Sequence, residues 1–515
     1  MSAWTELVRA SLLGTERQPF AMPQAGGGLG RILGRATALE PMAALLSAAA
    51  AAAVHRRIQF VPARQETKPE TPQTFQDAPI CPARATGSLT RMLNGEQKDS
   101  LPEFLDHLAR CKRSAPAALL PALLEEGRQN PEWRDSILGA LGARGHWLAR
   151  HNPDWDYATA GAPIEWETSN REQRLALLRE VRRTAPARAR ELLMSTWEHE
   201  SPEDRADFLK TFLAGLSADD EPMLESILDD RRKEVRQSAA DLLARLPGSA
   251  LCARMTKRLV PLLMITPPQK GKLLRLNRPR KTAIEIALPE ACDKALMRDG
   301  IEPKTARFLL GKKIGEKAGW LLQMIAVVPP GQWCVAPDVE PSALLEAAER
   351  TDWRDLLWAS WLQATIRHGE GRWIAAFLAR QDILELLCPD SAGLIEALPL
   401  DQRDEALRQL LDTQRELTAC GVAFLLRHAA MWTPELSRVV LKRLRGHGQY
   451  ATDARFFPLY RQCGRCMDPQ VAGEASEEYH PPADMTPAAA TALQEHFLDA
   501  LKFRHDMVEA LESRE

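Results

Sequence analysis

The chain has 515 residues, 45% hydrophobic and 26% charged, with 67 basic against 69 acidic side chains and a net charge of -2. That length holds several ordinary domains or one long repeat array, and the composition is that of a folded, soluble protein. The near-neutral balance excludes a uniformly basic nucleic-acid coat and an acidic tail protein.

Residues 2–14 predict a short amphipathic helix with Trp4, Leu7, Val8 and Leu12 on one side. Glu6, Glu16 and the lack of a continuous apolar core argue against a signal peptide. The cluster Gly26-Gly27-Gly28-Leu29-Gly30 follows no strand, so it reads as a flexible joint rather than a dinucleotide fingerprint. The alanine-rich run Ala43–Ala53 falls well short of the ~20 apolar residues that span a bilayer. It predicts a tightly packed helix, and no membrane association is expected. Residues 57–88 are proline-rich with little apolar periodicity. They predict a linker or arm, taken as 57–99, behind N-terminal helices in 1–56.

From about Ser100 the chain is predicted to be helical almost without break, beginning with Pro102–Arg113, Ala115–Gln129 and Glu132–Arg150. Three stretches then recur every 31 residues: Arg174-Leu177-Leu178-Val181, Arg205-Phe208-Leu209-Phe212 and Arg236-Ala239-Ala240-Leu243. A second apolar set follows in register at Leu193/Trp197, Leu224/Leu228 and Met255/Leu259. Offsets of three, four and seven lie on one helical face, so each unit is two amphipathic helices around a short turn. Such a unit buries its apolar face only by stacking on neighbours. Arg134-Ile137-Leu138-Leu141, Arg354-Leu357-Trp358-Trp361 and Arg403-Ala406-Leu407-Leu410 repeat the opening pattern outside the strict register.

Between helical halves at 100–265 and 336–515 lies an insertion, 266–335, of different texture. Lys272–Leu276 and Thr282–Leu288 alternate on either side of Asn277-Arg278-Pro279-Arg280, which predicts a small β-hairpin near 270–288. The expected fold is mainly α: an α-solenoid of stacked helical pairs interrupted by this hairpin.

Asp230-Arg-Arg-Lys-Glu-Val235-Arg236-Gln-Ser-Ala239-Ala240-Asp-Leu242-Leu243 resembles the second half of a HEAT repeat. In that family an Asp and an Arg six positions apart, here Asp230 and Arg236, link neighbouring repeats in a ladder. The two earlier units carry Thr168 and His199 at the Asp position, so the resemblance implies only a partial ladder. Two further segments, Trp4–Arg17 and Ala143–Trp155, are similar to an uncharacterised bacterial family. Its genes lie beside those of MoxR-type AAA+ ATPases and von Willebrand factor A domain proteins. That resemblance implies a cytoplasmic partner of an ATPase system.

No His-Glu-x-x-His, Gly-x-Ser-x-Gly or phosphate-cradling loop occurs; Gly271-Lys272 and Gly311-Lys312 lack the earlier Gly and the following Ser or Thr. No catalytic residue, cofactor or metal is therefore assigned. Nine cysteines, odd in number and widely spaced, suit buried thiols in a reducing cytoplasm. Cys463-Gly-Arg-Cys466 is the only CxxC; a zinc site with His447 or His480 wants a second paired half, which the chain lacks.

Two surfaces stand out for binding. The 143–155 loop gathers His146, Trp147, Arg150, His151, Asp154 and Trp155 at a helix end, and Trp and Arg dominate binding hot spots. The plainer reading is a turn at Asn152-Pro153-Asp154 with its tryptophans anchored on the core. From Leu242 to Ile284 there is no acidic residue but ten basic ones, among them Lys270, Lys272, Arg275, Arg278, Arg280 and Lys281, and Lys312 and Lys313 follow. Such a run is a solvated face, a dock for an acidic protein or a holder of phosphates. The function expected from these features is a non-enzymatic scaffold or adaptor whose partner is an AAA+ ATPase or its von Willebrand-type companion. The alternatives are a nucleic-acid-binding repeat protein using the basic 245–281 stretch and an enzyme centred on His146–Asp154.

Overall fold

A computed structural model describes residues 3–13, 21–58, 78–159, 166–167, 169–268, 281–304, 308–336, 339–414, 416–445, 457–478 and 487–513. Among them are 27 α-helices and two sheets of two strands each, so the chain is mainly α. It divides into two compact units, Met1–Phe75 and Gln76–Glu515.

The first unit packs helices Ala3–Leu13, Gly27–Ala36 and Pro41–Ile58 around Leu7, Leu29, Leu33, Leu45, Ala48 and Ala52. The glycine cluster is the first turn of a helix rather than a joint. Leu29, Leu33 and Ala36 recur at helical spacing and are buried, and that stripe outweighs the low helix propensity of glycine. A Cβ on Gly30 would stand 1.9 Å from the Ala25 carbonyl oxygen, so the turn demands glycine there.

In the second unit, helix Ala83–Leu93 occupies part of the segment read as a linker, burying Ala85, Leu89 and Met92. The three 31-residue units form as helix pairs. They are Arg171–Thr184 with Pro186–Thr196, Pro202–Lys210 with Glu221–Ile227, and Lys233–Leu243 with Ala250–Leu259. Leu178, Phe208, Leu209, Phe212, Ala239 and Leu243 are all buried, as are Leu193, Leu224, Leu228, Met255 and Leu259 on the second helices. The helix starts keep the register: Asn170 caps through a capping box with Gln173, and Ser201 accepts from the Asp204 amide.

The hairpin pairs Leu263–Thr266 with Ala283–Ile286, antiparallel, with Leu263 opposite Ile286. The second strand lies where alternation predicts it. Its partner among the described residues is Leu263–Thr266, which begins three residues beyond the Ala250–Leu259 helix; Lys272–Leu276 falls outside the described residues. Leu263 and Ile265 turn toward the core while Met264 and Thr266 are exposed, so this strand too alternates.

The two ends of the second unit meet. Phe503, Met507, Ala510 and Leu511 of helix Asp499–Glu512 share one core with Leu89, Phe104 and Leu105. Buried Arg504 locks the seam: it donates to both carboxylate oxygens of Glu103 at 2.5 and 2.9 Å, and to the carbonyls of Gly464 and Met467 at 2.9 and 2.7 Å. Repeats that met only their sequence neighbours would not make this contact.

Candidate functional site

The arginines that open each unit tie it to the residues before it, and Arg174 and Arg205 also hold a carboxylate farther along the chain. Arg205 donates to the Trp197 carbonyl at 2.9 Å and to Asp230 at 2.9 Å, with its guanidinium over the Trp197 ring. Arg236 donates to the carbonyls of Asp230 and Arg231 at 2.8 and 3.0 Å. Arg174 pairs with Glu200 and lies over Trp166 at 4.2 Å. Asp230 thus joins the second unit to the third. Glu200, one residue after His199, joins the first to the second, so the rung expected to be missing there is present with a longer acid one position later. Outside the strict register, Arg134 reaches the Gly127 carbonyl at 2.8 Å, and Arg403 those of Leu398 and Glu396 at 3.0 and 2.9 Å. Arg134, Arg205, Arg236 and Arg403 thus satisfy carbonyls left open where the preceding helix ends. Arg354 departs from this, bonding to Asp355 and lying over Trp358.

Beneath the ladder sits a fully buried node. Arg182 makes two hydrogen bonds to Asp220 at 3.0 and 2.9 Å and reaches the Ala214 and Gly215 carbonyls at 3.0 and 2.8 Å. Burial alone would raise the Asp220 pKa. Hydrogen bonds from Arg182, Arg190 and the Ser217 amide more than offset this and hold it below the usual carboxylate range. On the surface, a groove of about 580 Å³ runs between the first and second units, lined by Met194, Glu198, Arg205, Asp229, Arg231 and Arg232 among others. Its lining is predominantly charged.

Of the expected 143–155 loop, residues 143–149 are the last turns of helix Arg134–Ala149 and a 3₁₀ turn begins at Pro153, so only the joint between them is irregular. His146 contacts the Ala158 carbonyl through Nδ1 at 2.8 Å, Trp147 meets His151 edge-on at 4.4 Å, and Asn152 caps the Asp154 amide at 3.1 Å. Trp155 packs against the core shared with the Asp499–Glu512 helix. Arg150, His151 and Asp154 are exposed, while His146, Trp147 and Trp155 are half-buried. The six residues are brought together at one helix end, with the aromatic ones holding the turn and the charged ones facing out.

The basic stretch divides. Lys270, Lys272, Arg275, Arg278 and Arg280 lie outside the described residues. Arg245 is paired with Asp241, Arg254 with Glu225 and Asp299, and Arg258 with Asp293, so carboxylates from outside the run neutralise its helical part. Lys281, Lys312 and Lys313 are exposed and carry no ion pair among the described residues.

Both CxxC thiols face the interior of helix Phe457–Cys466, Cys463 fully buried and Cys466 nearly so. Burial pushes the Cys463 thiol well up and Cys466 to about 11, so neither is a thiolate at neutral pH. Among the described residues no group of three or more His, Cys, Asp or Glu could hold a metal ion. A larger cavity, about 830 Å³, opens at the seam beside the π-helical turn Gln494–Leu498. Its lining mixes Arg91, Lys98, Arg461 and Lys502 with Glu96 and Asp99, and Arg91–Glu96 and Arg461–Asp99 are already paired. Sequence reasoning passes over this place because its two sides come from opposite ends of the chain.

The fold and these surfaces define a mainly helical protein with recurring, arginine-stitched helix pairs. The chain belongs to a family of unknown function, DUF5691, whose match covers residues 6–511. No curated protein and no solved structure matches the chain. Among the described residues no helix is long and apolar enough to cross a membrane.

Proposed function

We propose that this protein is a non-enzymatic scaffold or adaptor of the cytoplasm, an α-solenoid of HEAT-like character in which the helices at 83–110 are latched to helix Asp499–Glu512. The observation that carries this reading is the ladder: Arg174–Glu200 and Arg205–Asp230 fix successive helix pairs in one register. A base held in that way keeps the groove at Glu198–Arg232 and the 143–155 loop at set spacings, and a preorganised surface binds without first losing conformational entropy. Function lies in surface complementarity, with no covalent step. The partner is a protein, and the resemblance of Trp4–Arg17 and Ala143–Trp155 selects an AAA+ ATPase or a von Willebrand factor A domain protein.

The test is affinity purification of the tagged chain from its native host after nuclease treatment, with co-purifying proteins identified by mass spectrometry. Stoichiometric recovery of an ATPase or another defined protein supports the adaptor. Recovery of the chain alone, with nucleic acid released only by the nuclease, sinks it in favour of a nucleic-acid-binding repeat protein.

A further inference from the structure

Strands Phe308–Leu309 and Lys312–Lys313 form a second, minimal hairpin, with Phe308 opposite Lys313 and Leu309 opposite Lys312. Its turn is Leu310-Gly311, both with positive φ (49° and 74°), the geometry that matches the twist of paired strands. Glycine takes that conformation freely and leucine only at a cost of about 1 kcal/mol or more. Leu309 and Ile314 pack on the large core, so the hairpin is anchored from beneath.

What it presents outward is unusual for this chain. Phe308 is 68% exposed, the most exposed large apolar residue of the described second unit, and Leu310 is 37% exposed. Around them Lys304, Lys312, Lys313 and Lys317 are exposed, and none has an ion pair among the described residues. Beside the hairpin opens a groove of about 610 Å³, floored by Leu322, Ala359, Leu362 and Leu387, with Phe308–Leu310 on one rim. Of the two carboxylates lining it, Glu302 is already held by Lys233 at 3.2 Å, which leaves Asp390.

We propose that the Phe308–Lys313 hairpin and this groove are the docking site for an acidic segment of a partner protein that also carries apolar anchor side chains. The cations complement carboxylates, and Phe308, Leu310 and the leucine floor complement leucine- or phenylalanine-like anchors, the pattern of a central apolar contact inside a charged rim. A phosphate backbone answers only half of this surface. It has no aliphatic group for the floor. The site rests on the adaptor reading and deepens it by naming the chemistry of the partner.

The test uses the full chain and fluorescence anisotropy with three labelled probes of equal length: an acidic peptide with leucine at every fourth position, the same peptide with its acids replaced by lysine, and a single-stranded oligonucleotide. The acidic peptide is expected to bind best. The double variant Lys312→Glu/Lys313→Glu should weaken it by at least about tenfold, as reversal of two rim charges does, and raised salt should do the same. Phe308→Ser should weaken it by about fivefold or more at unchanged salt dependence. Unchanged peptide binding in both variants overturns the site, and so does an oligonucleotide that binds more tightly and is lost in the same double variant. Repeating the purification from the native host with the double variant separates the two readings. A partner still recovered in full keeps the adaptor and removes this docking site, whereas a wild-type chain that recovers no partner removes the adaptor itself.

Discussion

Between Arg171 and Leu259 the repeat arginines turn inward; between Lys304 and Lys317 the lysines turn outward. Arg174, Arg182, Arg205 and Arg254 each hold a carboxylate, and several also reach a main-chain carbonyl or lie on an aromatic face. The four lysines hold nothing within the described chain, although they flank an exposed phenylalanine. The difference follows from the side chains. A planar guanidinium with five donors satisfies a carboxylate and the open carbonyls of a helix end together, whereas an ammonium on a flexible stem stays solvated until a partner displaces its water. Internal ion pairing is thus concentrated in one region, and exposed cations without an ion pair among the described residues in the other.

The largest break in this contrast is expected at the buried node. Arg182→Ala leaves Asp220 charged, buried and short of its main donor, and should cost about 3–5 kcal/mol, read as a fall in the urea midpoint. Next comes the seam. Arg504→Ala strips Glu103 and two helix-end carbonyls of their donor, and should cost about 2–3 kcal/mol with faster amide exchange in 499–512. If exchange there is unchanged, the latch contributes nothing. Arg205→Ala removes one rung and should cost about 1–2 kcal/mol, whereas Arg205→Lys should recover only the bond to Asp230.

Acid sharpens the comparison from another side. Burial pushes the His368 imidazole down to about 4 from 6.5, and its Nδ1 is buried without a partner. The unfolded chain therefore takes up a proton at higher pH than the folded one. Stability is unaffected above about pH 6.5, declines as pH falls from there toward 4, and is level again below it. His368→Gln should flatten that decline by about 2–3 kcal/mol at pH 4.5, measured by thermal melting across the range. The smallest effect belongs to the hairpin: Lys312→Glu/Lys313→Glu should leave stability within about 0.5 kcal/mol, because no native contact is lost.

The helix pairs are legible in the sequence because Leu178, Leu209 and Ala240 recur at one spacing and each lies on a buried stripe that local periodicity reports. The role of Arg205 is legible for the same reason. Glu200 is not, since a longer acid one position away reaches the same guanidinium and pattern matching by position ignores reach. Leu263–Thr266 is hidden by its four-residue length directly after a helix, where apolar residues fit either period. The pairing of Arg254 and Arg258 is invisible to a count of charges along a run, because their carboxylates approach through space, whereas Asp241 lies one turn before Arg245. The Phe308–Lys313 hairpin carries one local signal, the Leu310-Gly311 turn between apolar and basic pairs, but only exposure reveals that Phe308 faces out.

The seam at Arg504 also sets an order of events during synthesis. Glu103 and Arg504 are 401 residues apart, so at 5–20 residues per second the helices at 83–110 wait roughly 20–80 s on the ribosome for their covering helix. Through that interval Leu89, Phe104 and Leu105 lack the side chains of Phe503 and Met507 that complete their core. The nascent chain therefore exposes a sticky edge at 83–110 until helix Asp499–Glu512 has been made, and the same edge reopens whenever proteolysis removes that helix.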